Sequence, residues 1–351
     1  MNRIILAQTA FLGDLVLTTP LFRAVKKIHP DCYLTVIIRP EYRELMRAIP
    51  EIDELIFYDK RGRERGLLNF YNKIREIRLR LASLAISPHR SARTALMLWQ
   101  THIPRRIGFA EAGLSFLYTD RVARNMSLHE VDRNLSLISS FEQDPDKFDR
   151  MPYLPIKEEW DKEASRLLPQ SRNLVGVAPS SVWPTKRWTP AGFSRLIDLL
   201  SEKFNLRAVV LGEPGAEPLA REITGQTKSE PINLVGKTSL GVLTAVVSRL
   251  KLLVSNDSGL VHVASARNIS TVVIYGPTSP KFGYGPLGPG SRTVELPLDC
   301  RPCHIHGPRE CPKEHFKCMK EITPEQVLET VEMILNQTPH PPLSPEGRGL
   351  R

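Results

Sequence analysis

Short apolar runs alternate with longer stretches of helical periodicity along most of the chain. Strands are predicted at residues 4–7, 34–38, 54–58, 84–87 and 105–109, then at 173–179, 207–212, 232–236, 252–255 and 271–276. Helices are predicted at residues 14–28, 42–48, 67–81, 91–100, 190–204, 216–224, 240–250 and 260–267. Buried strands that alternate with helices are typical of a parallel sheet covered on both faces, so we predict an α/β fold.

The alternation lapses in a segment rich in Asp, Pro and Lys near residues 142–159. We therefore predict two Rossmann-like domains with a cleft between the carboxyl edges of their sheets. The predicted units are a domain at residues 1–150, a linker at 151–172, a domain at 173–322, a helix at 323–337 and a tail at 338–351. The tail is Pro-rich and lacks apolar periodicity, so we expect it to be disordered.

The chain of 351 residues carries a formal net charge of +10, which favours an anionic partner. No nucleic-acid motif accompanies the charge, so nucleic acid is not an expected partner. No apolar run reaches the roughly 18 residues that a membrane span needs, and the first apolar run is too short for a signal peptide. We therefore expect a cytoplasmic protein.

Part of the positive charge is concentrated in one loop. Lys60, Arg61, Arg63 and Arg65 follow the third predicted strand. Such a run favours an acidic or phosphorylated partner, although a solvated surface loop is the more common interpretation of clustered charge.

A polar turn, Asn256-Asp257-Ser258-Gly259, joins a predicted buried strand to a helix. The free N–H groups of a helix N-terminus carry partial positive charge and suit a phosphate. Ligands of open α/β sheets also bind at this edge. An ordinary capped turn, with Asp257 or Ser258 as N-cap, explains the same residues equally well.

Gly13 and Asp14 follow the first strand. The glycine permits close approach of the backbone, and the aspartate stands at a helix start. Asp14 is a candidate general base at the floor of the cleft, and a first-turn helix acid is the alternative. A phosphate-binding role is disfavoured because the loop lacks G-x-G-x-x-G and a carboxylate repels phosphate.

Two further loops follow strands of the second half. The first carries Ser180, Ser181 and Lys186, and the lysine can neutralise a diphosphate leaving group. The second carries Glu217, which either holds ribose hydroxyls or is a first-turn helix acid. A solvated lysine is the alternative for Lys186.

Four cysteines, Cys300, Cys303, Cys311 and Cys318, follow the pattern C-x2-C-x7-C-x6-C. Four thiols this close together suit a structural zinc ion, and disulfides are not expected in a cytoplasmic protein. A reduced, partly buried loop is the alternative, because the middle spacing is not that of a zinc ribbon.

Three segments in this order resemble the ADP-heptose:lipopolysaccharide heptosyltransferases of glycosyltransferase family 9. They are GDLVLTTPLFRAVKKIHPD, PSSVWPTKRWTPAGF and VSNDSGLVHVASARNISTVVIYGPTSP. The cysteine segment that ends in CPKEHFKCM resembles the heptosyltransferase II type.

The resemblance implies a GT-B fold, with the acceptor bound by the first domain and the sugar nucleotide by the second. It implies inverting transfer of L-glycero-D-manno-heptose from ADP-heptose to the inner core of lipopolysaccharide, with no obligatory metal and with peripheral contact at the inner membrane. Asp14 then matches the catalytic base and Lys186 the lysine on the donor phosphates. The other donor-binding residues implied are Ser180, Ser181, Glu217, Asp257, Ser258, Gly259 and His262. The acceptor-binding residues implied are Gly13, Lys60, Arg61, Arg63 and Arg65.

Two other functions fit the same residues. A related glycosyltransferase could use a different nucleotide sugar or glycan, since nothing in the residues specifies heptose by chemistry. A non-catalytic module that binds nucleotide or zinc is more remote, because such a module needs no base beside the cleft.

Overall fold

Two parallel sheets of six strands each form the framework of the computed structural model, which describes residues 2–60, 62, 64–141, 143–171 and 173–337. The first sheet contains β1 (Arg3–Ala7), β2 (Tyr33–Ile38), β3 (Glu54–Phe57), β4 (Leu84–Ser87), β5 (Arg105–Phe109) and β6 (Asp120–Val122). The second contains β7 (Leu174–Ala178), β8 (Arg207–Val210), β9 (Ile232–Asn233), β10 (Leu252–Asn256), β11 (Ser270–Ile274) and β12 (Arg292–Val294).

Helices cover both faces of the sheets. Those of the first half are α1 (Leu12–Val16), α2 (Thr19–Ile28), α3 (Arg43–Met46), α4 (Leu67–Arg78), α5 (Ala92–Gln100) and α6 (Glu130–Ser136). They are followed by α7 (Glu158–Leu167), α8 (Pro190–Phe204), α9 (Glu217–Gln226), α10 (Leu240–Val247), α11 (Gly259–Ala266), α12 (Lys317–Lys320) and α13 (Pro324–Gln337). Among the residues that the structure describes, no helix combines the length and the apolar composition needed to cross a bilayer.

Both sheets have the strand order of a dinucleotide-binding fold. The first runs β3-β2-β1-β4-β5-β6, and the second runs β12-β11-β10-β7-β8-β9, which is the same order when its strands are counted from β7. The order reverses between β1 and β4 in one sheet and between β7 and β10 in the other. The predicted α/β fold with two Rossmann-like halves is confirmed.

The central strands are buried on both faces, which is why their sequences are nearly continuous apolar runs. Every residue of β7, β10 and β11 is buried, and so are residues 4–7 of β1. Parallel strands of this kind end at one edge of each sheet, so the loops that follow them lie together there.

One predicted helix is in fact two. The helix expected at residues 14–28 is interrupted between α1 and α2. Pro20 lacks an N–H and cannot donate to the carbonyl of Val16, and the hydroxyl of Thr19 donates to that carbonyl instead at 2.8 Å. The chain therefore turns at residues 17–18 and resumes a helix with Pro20 in its first turn.

The connection between the sheets is also more ordered than predicted. Helix α7 lies within the stretch expected to be a linker and packs against α10 of the second half. The last helix, α13, packs against α8 and the edge of the second sheet. The predicted tail, residues 338–351, lies outside the described residues.

The contact between α7 and α10 generates a test of packing. A Cβ atom at Gly241 of α10 would lie 2.3 Å from Cε2 of Trp160, whereas a Cβ atom at Gly225 of α9 would have no heavy atom within 4 Å. We expect Gly241→Ala to lower the free energy of unfolding by about 1–3 kcal/mol through overpacking. Gly225→Ala should raise it by roughly 0.5–1 kcal/mol, because alanine favours a helix.

Thermal and denaturant unfolding of the two variants measure both changes. Both variants replace glycine with alanine. Equal changes in their free energies of unfolding would therefore contradict the close packing of Gly241 against Trp160.

Candidate active site

Asp14 lies at the carboxyl edge of the first sheet, in the first turn of α1. The backbone N–H of Phe11 donates to its Oδ2 at 3.2 Å. The carboxyl keeps some access to solvent, but protein surrounds it on most sides. Burial, followed by the negative charge of Glu130, raises the pKa of Asp14 to about 6. A carboxylate with this pKa is matched to general-base work near neutral pH.

The two ligand edges meet at two glycines. Helix α1 packs against α11, and a Cβ atom at Gly13 would lie 2.7 Å from Cδ2 of His262. A Cβ atom at Gly259 would lie 3.5 Å from the backbone nitrogen of Gly13. The lack of a side chain at Gly13 therefore permits this approach of the domains.

His262 is buried at this contact. Burial is the main cause that lowers its pKa to about 4, so the imidazole is neutral at physiological pH. Its Nδ1 atom has no hydrogen-bond partner among the described residues. A buried polar atom of this kind is available to a bound molecule.

Lys186 and Asp257 form an ion pair in the second domain, and both interact electrostatically with His262. Lys186 Nζ lies 2.6 Å from Asp257 Oδ2, and both side chains are largely buried. The hydroxyl of Thr278 donates to the same oxygen at 2.8 Å. The carboxylate of Asp257 would repel a phosphate, so Asp257 is better suited to position Lys186 than to bind phosphate itself.

The loops after β7 and β10 are joined by hydrogen bonds. Asn256 accepts from the backbone N–H of Trp188 at 3.0 Å and donates to the carbonyl of Pro179 at 2.6 Å. The hydroxyl of Ser181 donates to the carbonyl of Asp257 at 3.1 Å. Ser258 precedes α11 as its N-cap residue, although its side chain bonds to Ser255 rather than to the helix. The predicted donor residues on these loops are thus brought together.

Glu213 is a site residue that the sequence reasoning missed. Its Oε2 accepts from the hydroxyl of Ser180 at 2.7 Å. The predicted residue, Glu217, lies in the first turn of α9 and accepts from the backbone N–H of Gly215. The ribose role of Glu217 stays a prediction. The signal for Glu213 was present, since it directly follows Gly212 beyond the end of β8.

A cluster of buried charges near Asp14 was also missed. Glu130 accepts from Arg124 and, at 3.1 Å, from Arg133. All three side chains are buried. Glu130 raises the pKa of Asp14 while Arg124 opposes it. The sequence contained a signal for this cluster, because Glu130 and Arg133 are charged residues at positions of α6 that face the core.

The same helix connects the two domains. Three hydrogen bonds reach the loop after β11: from Glu130 N to Gly283 O at 2.8 Å, from Arg133 Nη1 to Phe282 O at 2.9 Å and from His129 Nε2 to Gly285 O at 3.0 Å. Arg133 therefore links the two domains, and Glu130 of the same helix raises the pKa of Asp14.

Of the predicted acceptor residues, Gly13 and Lys60 lie beyond the ends of β1 and β3, at the carboxyl edge of the first sheet. Lys60 Nζ donates to the hydroxyl of Thr9 at 3.0 Å, and Arg65 is exposed. Arg61 and Arg63 lie outside the described residues.

The cysteine segment contacts the lysine loop, although it is distant in sequence. A Cβ atom at Gly307 would lie 3.2 Å from Cγ and Cε of Lys186. The sulfur of Cys300 lies 3.9 Å from Nε2 of His315, and burial raises the pKa of Cys318 to about 11. Within the described ranges no group of three or more His, Cys, Asp or Glu residues is arranged to hold a metal ion. The zinc site stays a prediction.

Two Rossmann-like domains whose ligand edges meet, with a raised-pKa carboxylate on one and a buried lysine on the other, have the architecture of the GT-B class of glycosyltransferases. A model of glycosyltransferase family 9 (heptosyltransferase) matches residues 72–313, and the chain belongs to this family. Lipooligosaccharide heptosyltransferase 2 of Haemophilus ducreyi is 26% identical over 95% of this chain and 99% of that protein. Lipopolysaccharide heptosyltransferase 2 of Escherichia coli K12 is 26% identical with the same coverage.

Solved structures show the same fold. A glycosyl transferase family 9 protein from Veillonella parvula matches with a TM-score of 0.85 and 26% identity, over 96% of this chain and 98% of that one. The ADP-heptose lps heptosyltransferase II of E. coli matches with a TM-score of 0.77 and 24% identity, over 96% and 99%. The expected GT-B architecture and glycosyltransferase class are confirmed.

The raised pKa of Asp14 predicts how stability depends on pH. An acid whose pKa is higher in the folded than in the unfolded state stabilises the fold at low pH, and this stability is lost as pH rises from about 4 to about 6. Asp14→Asn should therefore be more stable than the wild type at pH 7.5, by about 1–3 kcal/mol. The difference should shrink by roughly 1 kcal/mol at pH 5.

Urea unfolding at both pH values measures the difference. Asp120→Asn is the matched control, because the hydrogen bond from Arg105 lowers the pKa of Asp120. That variant should be less stable than the wild type at pH 7.5. An Asp14→Asn protein less stable than the wild type at pH 7.5 would contradict the conclusion that ionised Asp14 destabilises the fold.

Proposed function

We propose that this glycosyltransferase moves L-glycero-D-manno-heptose from ADP-heptose to the inner core of lipopolysaccharide, with inversion at the anomeric carbon. The observation that supports the proposal is the contact of Gly13 with α11, since it joins the turn that carries Asp14 to the helix whose His262 interacts with Asp257 and Lys186. The family and the names of the relatives support the choice of donor and acceptor.

Asp14 is the proposed base. Its carboxylate takes the proton of an acceptor hydroxyl while the hydroxyl oxygen bonds to the anomeric carbon of the heptose. The bond between that carbon and the phosphate oxygen of ADP breaks on the opposite face, and the departing oxygen keeps the electron pair. The attack from the opposite face is what inverts the anomeric centre.

Lys186 and the N-terminus of α11 are the proposed stabilisers of the departing diphosphate. The lysine supplies a full charge and the helix end a partial one. Asp257 and Thr278 hold the lysine in a fixed position, so little reorganisation is needed when negative charge develops on the leaving group. These groups supply the positive charge that the step requires, so the proposed mechanism includes no obligatory metal ion.

The proposed acceptor groups are Lys60, Arg61, Arg63 and Arg65, which would meet the acidic sugars and phosphates of the inner core. Opposite charges across such a surface raise the rate of encounter and fix orientation. We also infer that the reaction takes place in the cytoplasm, at the inner face of the inner membrane, because the acceptor is a membrane lipid.

Two single substitutions test the separate roles proposed for the two domains. Asp14→Ala should leave ADP-heptose binding nearly intact while turnover collapses. Lys186→Gln removes the charge but keeps a donor for Asp257, and it should lower kcat by roughly 100-fold and weaken donor binding. Calorimetry with ADP-heptose and assay of released ADP measure the two quantities separately. Near-normal turnover of Asp14→Ala would exclude Asp14 as the base.

A triple substitution tests the acceptor surface. Arg61→Gln, Arg63→Gln and Arg65→Gln together should raise the KM for the acceptor, by about tenfold at low salt, and spare donor affinity. The control is Lys162→Gln with Arg166→Gln, because these exposed cations lie on α7. The interpretation is wrong if the triple variant keeps the wild-type KM and its salt dependence.

A further inference from the structure

Exposed apolar side chains are distributed unequally between the two domains. Among the described residues, the large exposed ones of the first half are Phe11, Leu67, Leu68, Tyr71, Leu79, Leu81, Trp99, Leu114, Phe116, Met126 and Leu128. Those of the second half are Val182 and Met333. The first domain therefore carries an apolar surface that the second does not, and such patches mark binding surfaces.

Helix α4 carries three strongly exposed side chains of this surface. Leu67, Leu68 and Tyr71 have relative exposures of 78%, 75% and 58%. Phe70 and Ile74 of the same helix are buried in the core of the domain. Hence α4 is anchored by buried apolar side chains while other apolar side chains remain exposed.

Neighbouring elements carry further exposed apolar side chains. Helix α5 contacts both α4 and the turn at Ser115–Leu117. Trp99 of α5 and Phe116 of that turn are exposed by 45% and 71%. We call the three exposed residues of α4, Leu67, Leu68 and Tyr71, the outer apolar face.

The charges around the outer apolar face are positive. Arg65, Arg75 and Arg78 are exposed on or beside α4. The two acids of this region, Glu64 and Glu76, both form ion pairs with the buried Lys73, at 3.0 and 2.7 Å. Leucine and tyrosine flanked by arginines are the side chains that enter the headgroup region of an anionic bilayer.

The position of α4 connects this face with the active site. Leu67 begins the helix that follows β3, so the first turn of α4 lies on the same side of the domain as the carboxyl edge of the first sheet. Asp14 and Lys60 lie at that edge. A bilayer in contact with Leu67 and Leu68 would therefore hold a lipid-linked acceptor near the mouth of the cleft.

We propose that the outer apolar face docks this protein onto a bilayer rich in anionic lipid, with the first turn of α4 inserted between the headgroups. The orientation toward the acceptor depends on the proposed function, whereas the docking itself does not. Charge complementarity is the reason to prefer lipid over a second copy of this chain, because two such faces would bring like charges together.

Vesicle sedimentation without any acceptor tests the docking. The wild type should bind phosphatidylglycerol vesicles about tenfold or more tightly than phosphatidylcholine vesicles, and high salt should weaken the binding. Leu67→Ser with Leu68→Ser should lower the partition coefficient by about tenfold or more, and Arg75→Gln should lower it by several-fold. Met333→Ser and Arg221→Gln, exposed on the second domain, are matched controls that should leave it unchanged.

A second readout separates docking from catalysis. The double serine variant should keep its turnover on a deacylated, water-soluble acceptor and lose turnover on the acceptor embedded in vesicles. Vesicle binding by a wild type that transfers no heptose would support the docking face and overturn the proposed function. Wild-type partitioning of the double serine variant, or no wild-type binding to anionic vesicles, would overturn the docking face. The docking face would also be overturned if the wild type formed a dimer without lipid and the double serine substitution converted it to monomers, because a second copy of the chain would then cover the outer apolar face.

Discussion

The contact between Gly13 and α11 is the constraint on which the rest of the site depends. Each domain alone offers half of a reaction: a carboxylate at the end of β1 or a lysine and a helix N-terminus beyond β7 and β10. Transfer requires both halves on one sugar, and the ring of His262 over the Cα of Gly13 brings the two edges into van der Waals contact. A Cβ atom at Gly13 would lie 2.7 Å from Cδ2 of His262, so a side chain there would force the two edges apart.

Burial explains why the charges of the site are arranged as pairs. An isolated ion in such a cleft would be strongly destabilised, so Lys186 is matched by Asp257 and Glu130 by two arginines. Asp14 is the exception, because the charged group that affects it most is a second acid, Glu130. Burial, followed by the charge of Glu130, raises the pKa of Asp14 and makes its carboxylate a stronger base than an exposed aspartate.

The framework of both domains could be predicted from the sequence, because fully buried parallel strands appear as apolar runs and their loops follow at fixed positions. The strands β6 and β12 were not predicted, since three residues are too few to show a periodicity. The division between α1 and α2 depends on one proline. The cluster of Arg124, Glu130 and Arg133 was missed, because the sequence shows the charges but not their pairing, and the bond from Arg133 to Phe282 forms only when the two domains pack.

The carboxyl edges of the two sheets differ in a way that suits their proposed ligands. In the second domain the cation is buried and held by an acid, an arrangement that suits a small diphosphate enclosed between loops. On the first domain, arginines and leucines point outward together from α4. An amphiphile too large to enclose needs such a surface, because only its reacting sugar has to reach Asp14. The first domain must therefore keep one carboxylate in a low-dielectric cleft and also expose an apolar, cationic face to its surroundings. Different parts of the domain meet these two requirements: the turn after β1 holds the carboxylate, and the helix after β3 carries the exposed face.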